Sequence, residues 1–75
     1  MPYRTIHDLP PRVRDHLPLH AQEIFLAAFN NAFEEYASPF NRRPGLSLEE
    51  TANRVAWAAV KRRYVKVGDQ WMRRD

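Results

Sequence analysis

The stretch Ser47-Leu-Glu-Glu-Thr-Ala-Asn-Arg-Val-Ala-Trp-Ala-Ala-Val-Lys-Arg-Arg-Tyr64 constrains this chain more than any other. Ser47 followed by Glu50 reads as a capping box: the serine oxygen accepts from a free N–H of the first turn, and the glutamate reaches back to the serine N–H. Glu49 and Glu50 stand at the positive end of the helix dipole, and Lys61, Arg62 and Arg63 at the negative end. At about 100° per residue two apolar faces emerge. Ala52, Val55, Ala56 and Ala59 form a narrow face of small side chains, where another helix can come close. Trp57, Val60 and Tyr64 form a bulky second face that needs its own cover. A helix apolar over this much of its circumference is expected at the centre of a fold.

With 75 residues and no cysteine, the chain has room for one domain, 1–75, without a disulfide or thiolate metal site to support it. Stability must come from packing, for which nine aromatics and many alanines supply the material. The longest apolar runs are far too short to span a membrane. The start, Met-Pro-Tyr-Arg-Thr-Ile-His-Asp, lacks the apolar core of a signal peptide, so a cytoplasmic protein is expected.

Two further helices are expected. Asp8 is placed to cap a short first helix, about 9–17, with Pro10 and Pro11 in its first turn and Leu9, Val13 and Leu17 buried. Pro18 interrupts it and opens the next. In the second helix, about 19–37, Ala21, Ile24, Phe25, Ala28, Phe29, Ala32 and Tyr36 share a broad apolar face, with Glu23, Asn30 and Glu34 largely opposite. Ser38-Pro39 ends it, and a polar loop follows to Gly45. The third helix is expected over about 48–66, stopped by Gly68-Asp69 with Gly68 at C′. Gln70-Trp71-Met72 then runs extended and folds Trp71 back onto the bulky face. The Tyr3 segment is its natural strand partner, which makes a mainly α fold of three helices with a short antiparallel β pairing of the N- and C-terminal segments.

The charge is unevenly placed. Residues 1–60 carry six Lys/Arg against seven Asp/Glu, a net −1; residues 61–75 carry six against two, a net +4. Lys61, Arg62, Arg63, Lys66, Arg73 and Arg74 are therefore the candidate anion or nucleic-acid patch. A solvated helix end accounts for the same residues, since cations are favourable there in any case. No base-reading signature accompanies them, so binding to nucleic acid would be sequence-tolerant and salt-sensitive. Leu26, Phe33 and Phe40 are the apolar residues without an assigned place in the core, and they are the candidate protein contacts.

Catalysis and metal binding find little support. Ser38 precedes a proline and Ser47 is a cap. No glycine-rich phosphate loop exists, and the pairs Glu34-Glu35 and Glu49-Glu50 diverge around their helices. His16 and His20 have metal-ligand spacing, but Pro18 between them separates their helices. His20 is the one expected to hold a defined polar role near the start of the second helix. No catalytic residue, cofactor or metal site is assigned.

Several separated segments together resemble the ChaB family. They are Met-Pro-Tyr at the start, Leu9-Pro10, Leu17-Pro-Leu-His-Ala-Gln22, Ala28-Phe-Asn30 and Tyr36, then Glu50-Thr-Ala-Asn-Arg-Val-Ala-Trp-Ala-Ala-Val-Lys61, Tyr64, Lys66, the Gly68 turn and Trp71. The resemblance covers nearly everything except the 37–46 loop. It implies a small helical fold with a minor β element and a role as cation transport regulator, accessory to a sodium/calcium–proton antiporter. A protein partner, the membrane antiporter or its complex, is implied, with no catalytic site to carry over. ChaB-like domains in large DNA viruses bring nucleic-acid binding as the alternative. Where the family often has an acidic middle loop, this one has Arg42 and Arg43 and no acid before Glu49, so cation binding by the loop is not expected.

Overall fold

The computed structural model describes residues 3–38, 40 and 44–74. A 3-10 turn, Ile6–Asp8, leads into α1 (Pro11–Arg14), α2 (Leu19–Glu35) and α3 (Leu48–Arg63). The antiparallel strands β1 (Tyr64–Val67) and β2 (Gln70–Arg73) close the order. Met1, Pro2, Pro39, Arg42 and Arg43, which enter the expectations for the N-terminal segment, the end of α2 and the polar loop, lie outside the described residues.

α2 and α3 pack against each other to make the body of the molecule. Phe25, Phe29 and Ala32 of α2 and Ala52, Ala56 and Val60 of α3 are buried, with Leu9, Val13 and Leu17 completing the core. The two faces expected on α3 merge differently. The buried stripe is Ala52-Ala56-Val60, continued by Tyr64 at the same four-residue step. Val55 and Ala59 lie half-buried on one flank and Trp57 on the other. One helix, α2, covers one stripe, and positions on either side of that line are only partly reached. Trp57 finds cover edge-on against Phe25, centroids 5.2 Å apart, and stacks on Trp71 at 5.6 Å.

The Ser47 cap forms as expected. Its Oγ accepts from the Glu50 N–H at 3.1 Å, and Glu50 Oε1 accepts from the Ser47 N–H at 3.2 Å. Asp8 does not cap α1. Pro10 is the N-cap of that helix, while the Asp8 carboxylate accepts from the Thr5 N–H across the 3-10 turn. α1 is shorter than expected because two prolines at its start and Pro18 beyond its end leave little chain for helical bonding. Gln22, one turn into α2, joins the pieces by donating from Nε2 to the carbonyls of Arg14 and Leu17, at 3.0 and 2.8 Å.

The β pair exists, but with a different partner. Tyr64 pairs with Arg73, Val65 with Met72, Lys66 with Trp71 and Val67 with Gln70, a hairpin instead of a pairing between the termini. Gly68 sits at its turn with φ +60, while Asp69 has negative φ, the sign pattern of a type II′ turn. The third helix accordingly stops at Arg63 instead of 66. Val65-Lys66-Val67 alternates with two β-branched residues, and the returning chain satisfies carbonyls that the helix end leaves free. Arg74 donates its backbone N–H to the Arg63 carbonyl at 2.8 Å and its Nη1 to the Lys61 carbonyl at 2.9 Å.

Candidate functional site

The basic residues gather where α3 passes into the hairpin. α3 holds Lys61, Arg62 and Arg63 on successive positions about 100° apart, so their side chains radiate. The hairpin register sets Arg73 opposite Tyr64, and the bond from Arg74 to Arg63 extends the ladder by one step. The tail thus returns alongside the helix end, as the patch requires, but the result is a collar and not one face. Arg62 and Arg63 border a groove with His20, Ile24, Asn31 and Ala59. Lys66 borders a cleft of about 250 Å³ on another side, with Arg12, His16, Trp57, Asp69 and Trp71. Lys61 lies beside Arg54 and Trp57 in a shallow depression. The Arg74 guanidinium is committed to the helix-end carbonyl.

The cleft under the hairpin is the feature that the sequence alone does not assemble. Trp71 is expected to fold back, and it does. Residues far apart in the chain, Arg12 and His16 among them, reach its edge only because α1 and the hairpin meet there. No spacing rule in the sequence could have shown this.

His16 and His20 are separated as expected, His16 exposed in the turn after α1 and His20 in the first turn of α2. The His20 Nδ1 lies 3.1 Å from the Tyr64 hydroxyl, a polar tie between the start of α2 and the root of the hairpin. Among the described residues no three His, Asp or Glu side chains come together as a metal site would need.

The apolar candidates divide. Leu26 and Phe33, seven residues apart on one flank of α2, are half-buried against the core, and Phe33 stacks on Phe29 at 5.9 Å. Phe40 stands 97% exposed beyond the end of α2. The structure joins the first two on one flank and sets the third apart in the following loop.

The sequence model of the ChaB family matches residues 9–74. This chain belongs to the ChaB family. It is 49% identical over 76 residues to the "putative cation transport regulator ChaB" of Escherichia coli strain K12, with both chains covered completely. The protein of the same name from Shigella flexneri matches to the same extent. The NMR solution structure of a ChaB protein superposes with a TM-score of 0.82 at 48% identity, covering 99% of this chain and 100% of that one. The ChaB fold therefore includes the three helices and the hairpin, and the collar is built on its last helix and strands. Among the described residues, no helix is long and apolar enough to cross a membrane.

Proposed function

We propose that this ChaB-family chain, acting as one domain over residues 1–75, is a non-enzymatic regulator of a cation transport system that works by binding a protein partner. The observation that carries this reading is the end-to-end relationship, at 49% identity, to proteins named as cation transport regulators. The partner class is a sodium or calcium–proton antiporter or its complex, met from the cytoplasm. The half-buried flank of Leu26 and Phe33, with exposed Phe40 beyond it, is the contact surface this reading assigns. The side chains also favour a binding role over a chemical one. Ser47 is engaged by Glu50 in a helix cap, and the Tyr64 hydroxyl that meets His20 belongs to a side chain buried in the core.

The net +4 of residues 61–75 favours a second reading, a small nucleic-acid-binding protein using Lys61, Arg62, Arg63, Lys66, Arg73 and Arg74. An amide titration of the labelled protein with a short mixed-sequence DNA duplex separates the two. The regulator reading expects shifts at the collar to vanish between low and near-physiological salt, because only a few phosphates would be neutralised. Shifts that persist at the higher salt and map to the six basic residues would transfer the assignment to nucleic acid.

A further inference from the structure

The hairpin has two faces of different character. Tyr64 and Trp71 point inward, to the core and to Trp57. By strand alternation Val65, Val67, Gln70 and Met72 share the outer face, where Val65 pairs with Met72 and Val67 with Gln70. The three apolar members are exposed, at 45%, 59% and 50% for Val65, Val67 and Met72. One step down the same face the ladder brings Arg63 and Arg74 together. Arg62 precedes them on α3; Lys66 and Arg73, though exposed, alternate onto the inner face with Tyr64 and Trp71, and the Arg74 guanidinium holds the Lys61 carbonyl. Asp69, at the turn, borders the inner cleft with His16 and Trp71.

An apolar strand face with basic side chains around its foot fits one kind of surface well. We propose that the outer face of the hairpin docks on anionic lipid membranes, with Val65, Val67 and Met72 entering the interfacial layer, Arg63 at the foot of that face meeting a headgroup phosphate, and the rest of the basic collar adding longer-range attraction to the leaflet. Aliphatic side chains gain free energy by leaving water for the acyl boundary, and cations gain by approaching a negatively charged leaflet. A second copy of this chain fits less well. Three aliphatic side chains bury far less than the roughly 1,200 Å² or more of a stable interface. A two-fold pairing through them would also bring the arginine-rich bases of two copies near each other. Nucleic acid fits less well too, since a phosphate backbone offers Val65, Val67 and Met72 no apolar environment.

The test is flotation of the full chain with vesicles of phosphatidylcholine and phosphatidylglycerol, against phosphatidylcholine alone, with a paramagnetic lipid included for NMR. The protein should float with the anionic vesicles only, less so as salt is raised, and the methyl signals of Val65, Val67 and Met72 should broaden most. The near-isosteric variant V65T/V67T/M72Q, checked by its amide spectrum, should bind on the order of tenfold more weakly. Absence of flotation, broadening centred elsewhere in the chain, or undiminished binding by that variant would each overturn the proposal. So would a concentration-dependent dimer abolished by the same variant, or a DNA duplex that displaces the vesicles and binds both forms equally. The broadening pattern uses the unaltered protein, so a folding defect in the variant leaves the proposal testable.

Discussion

The Asn30 carboxamide holds the Tyr3 backbone from both sides: its Oδ1 accepts from the Tyr3 N–H at 2.9 Å, and its Nδ2 donates to the Tyr3 carbonyl at 2.7 Å. A primary amide offers a donor and an acceptor in the geometry a neighbouring strand would present. The Tyr3 backbone is thus satisfied by a helix side chain, and the Tyr3 ring settles on Phe29 at 4.8 Å. The place beside Gln70–Arg73 is free for the β1 strand to take.

Replacing Asn30 by Ala removes both bonds from a half-buried site. At about 0.5–1.5 kcal/mol net for each, the loss should be about 1–3 kcal/mol, read as a lower urea midpoint with unchanged slope. Asn30→Asp keeps an acceptor for the Tyr3 N–H but aims a second oxygen at its carbonyl, so it should do no better than Ala. Amide exchange at Tyr3 should accelerate in both variants.

Ala56 is fully buried on the α3 stripe that faces α2. Ala56→Leu inserts three carbons where the helices meet and should cost about 1–3 kcal/mol or more by forcing them apart. Ala58→Leu, on the exposed side of the same helix, should change stability by less than about 0.5 kcal/mol. Thermal unfolding of the pair separates close packing from the size of the side chain.

Gly68 turns the hairpin at φ +60, with open space where a Cβ would stand. Gly68→Ala should therefore cost about 1–2 kcal/mol through backbone conformation alone. Gly68→Asn should recover part of that loss, because asparagine tolerates the left-handed region better. Trp71 fluorescence should report any loosening, since its ring lies on Trp57 only while the hairpin is closed.

Ser47→Ala removes the oxygen that accepts from Glu50 and should cost about 1 kcal/mol, and Glu50→Ala less. Combining the two should cost less than the sum of the single losses, since both belong to one reciprocal motif.

The helices are legible because their signals are local. Ser47 and Glu50 declare a start, Pro18 declares a break, and the spacing of Ala21, Phe25, Phe29 and Ala32 declares a face. The hairpin is only half legible. Trp71 is expected against Trp57 and is there, but Val65 and Lys66 read as the end of the preceding helix, because helical spacing and β alternation compete in so short a run. Gly68 reads as a helix stop and is a strand turn. Asn30 reads as lying away from the apolar face, and nothing in its spacing reveals a partner 27 residues earlier. The basic residues stand out in the sequence, but their distribution around the helix end follows from the register, which the sequence does not spell out. The aliphatic outer face is hidden for the same reason.

The most direct test of the regulator reading is cation-driven proton exchange in everted membrane vesicles that carry a sodium or calcium–proton antiporter, from cells lacking this chain, with and without the purified protein. The reading predicts a saturable change in exchange rate on adding the protein, weakened by Leu26→Ser, Phe33→Ser or Phe40→Ser in variants with native amide spectra. An exchange rate indifferent to the protein at every concentration and with either cation would contradict it.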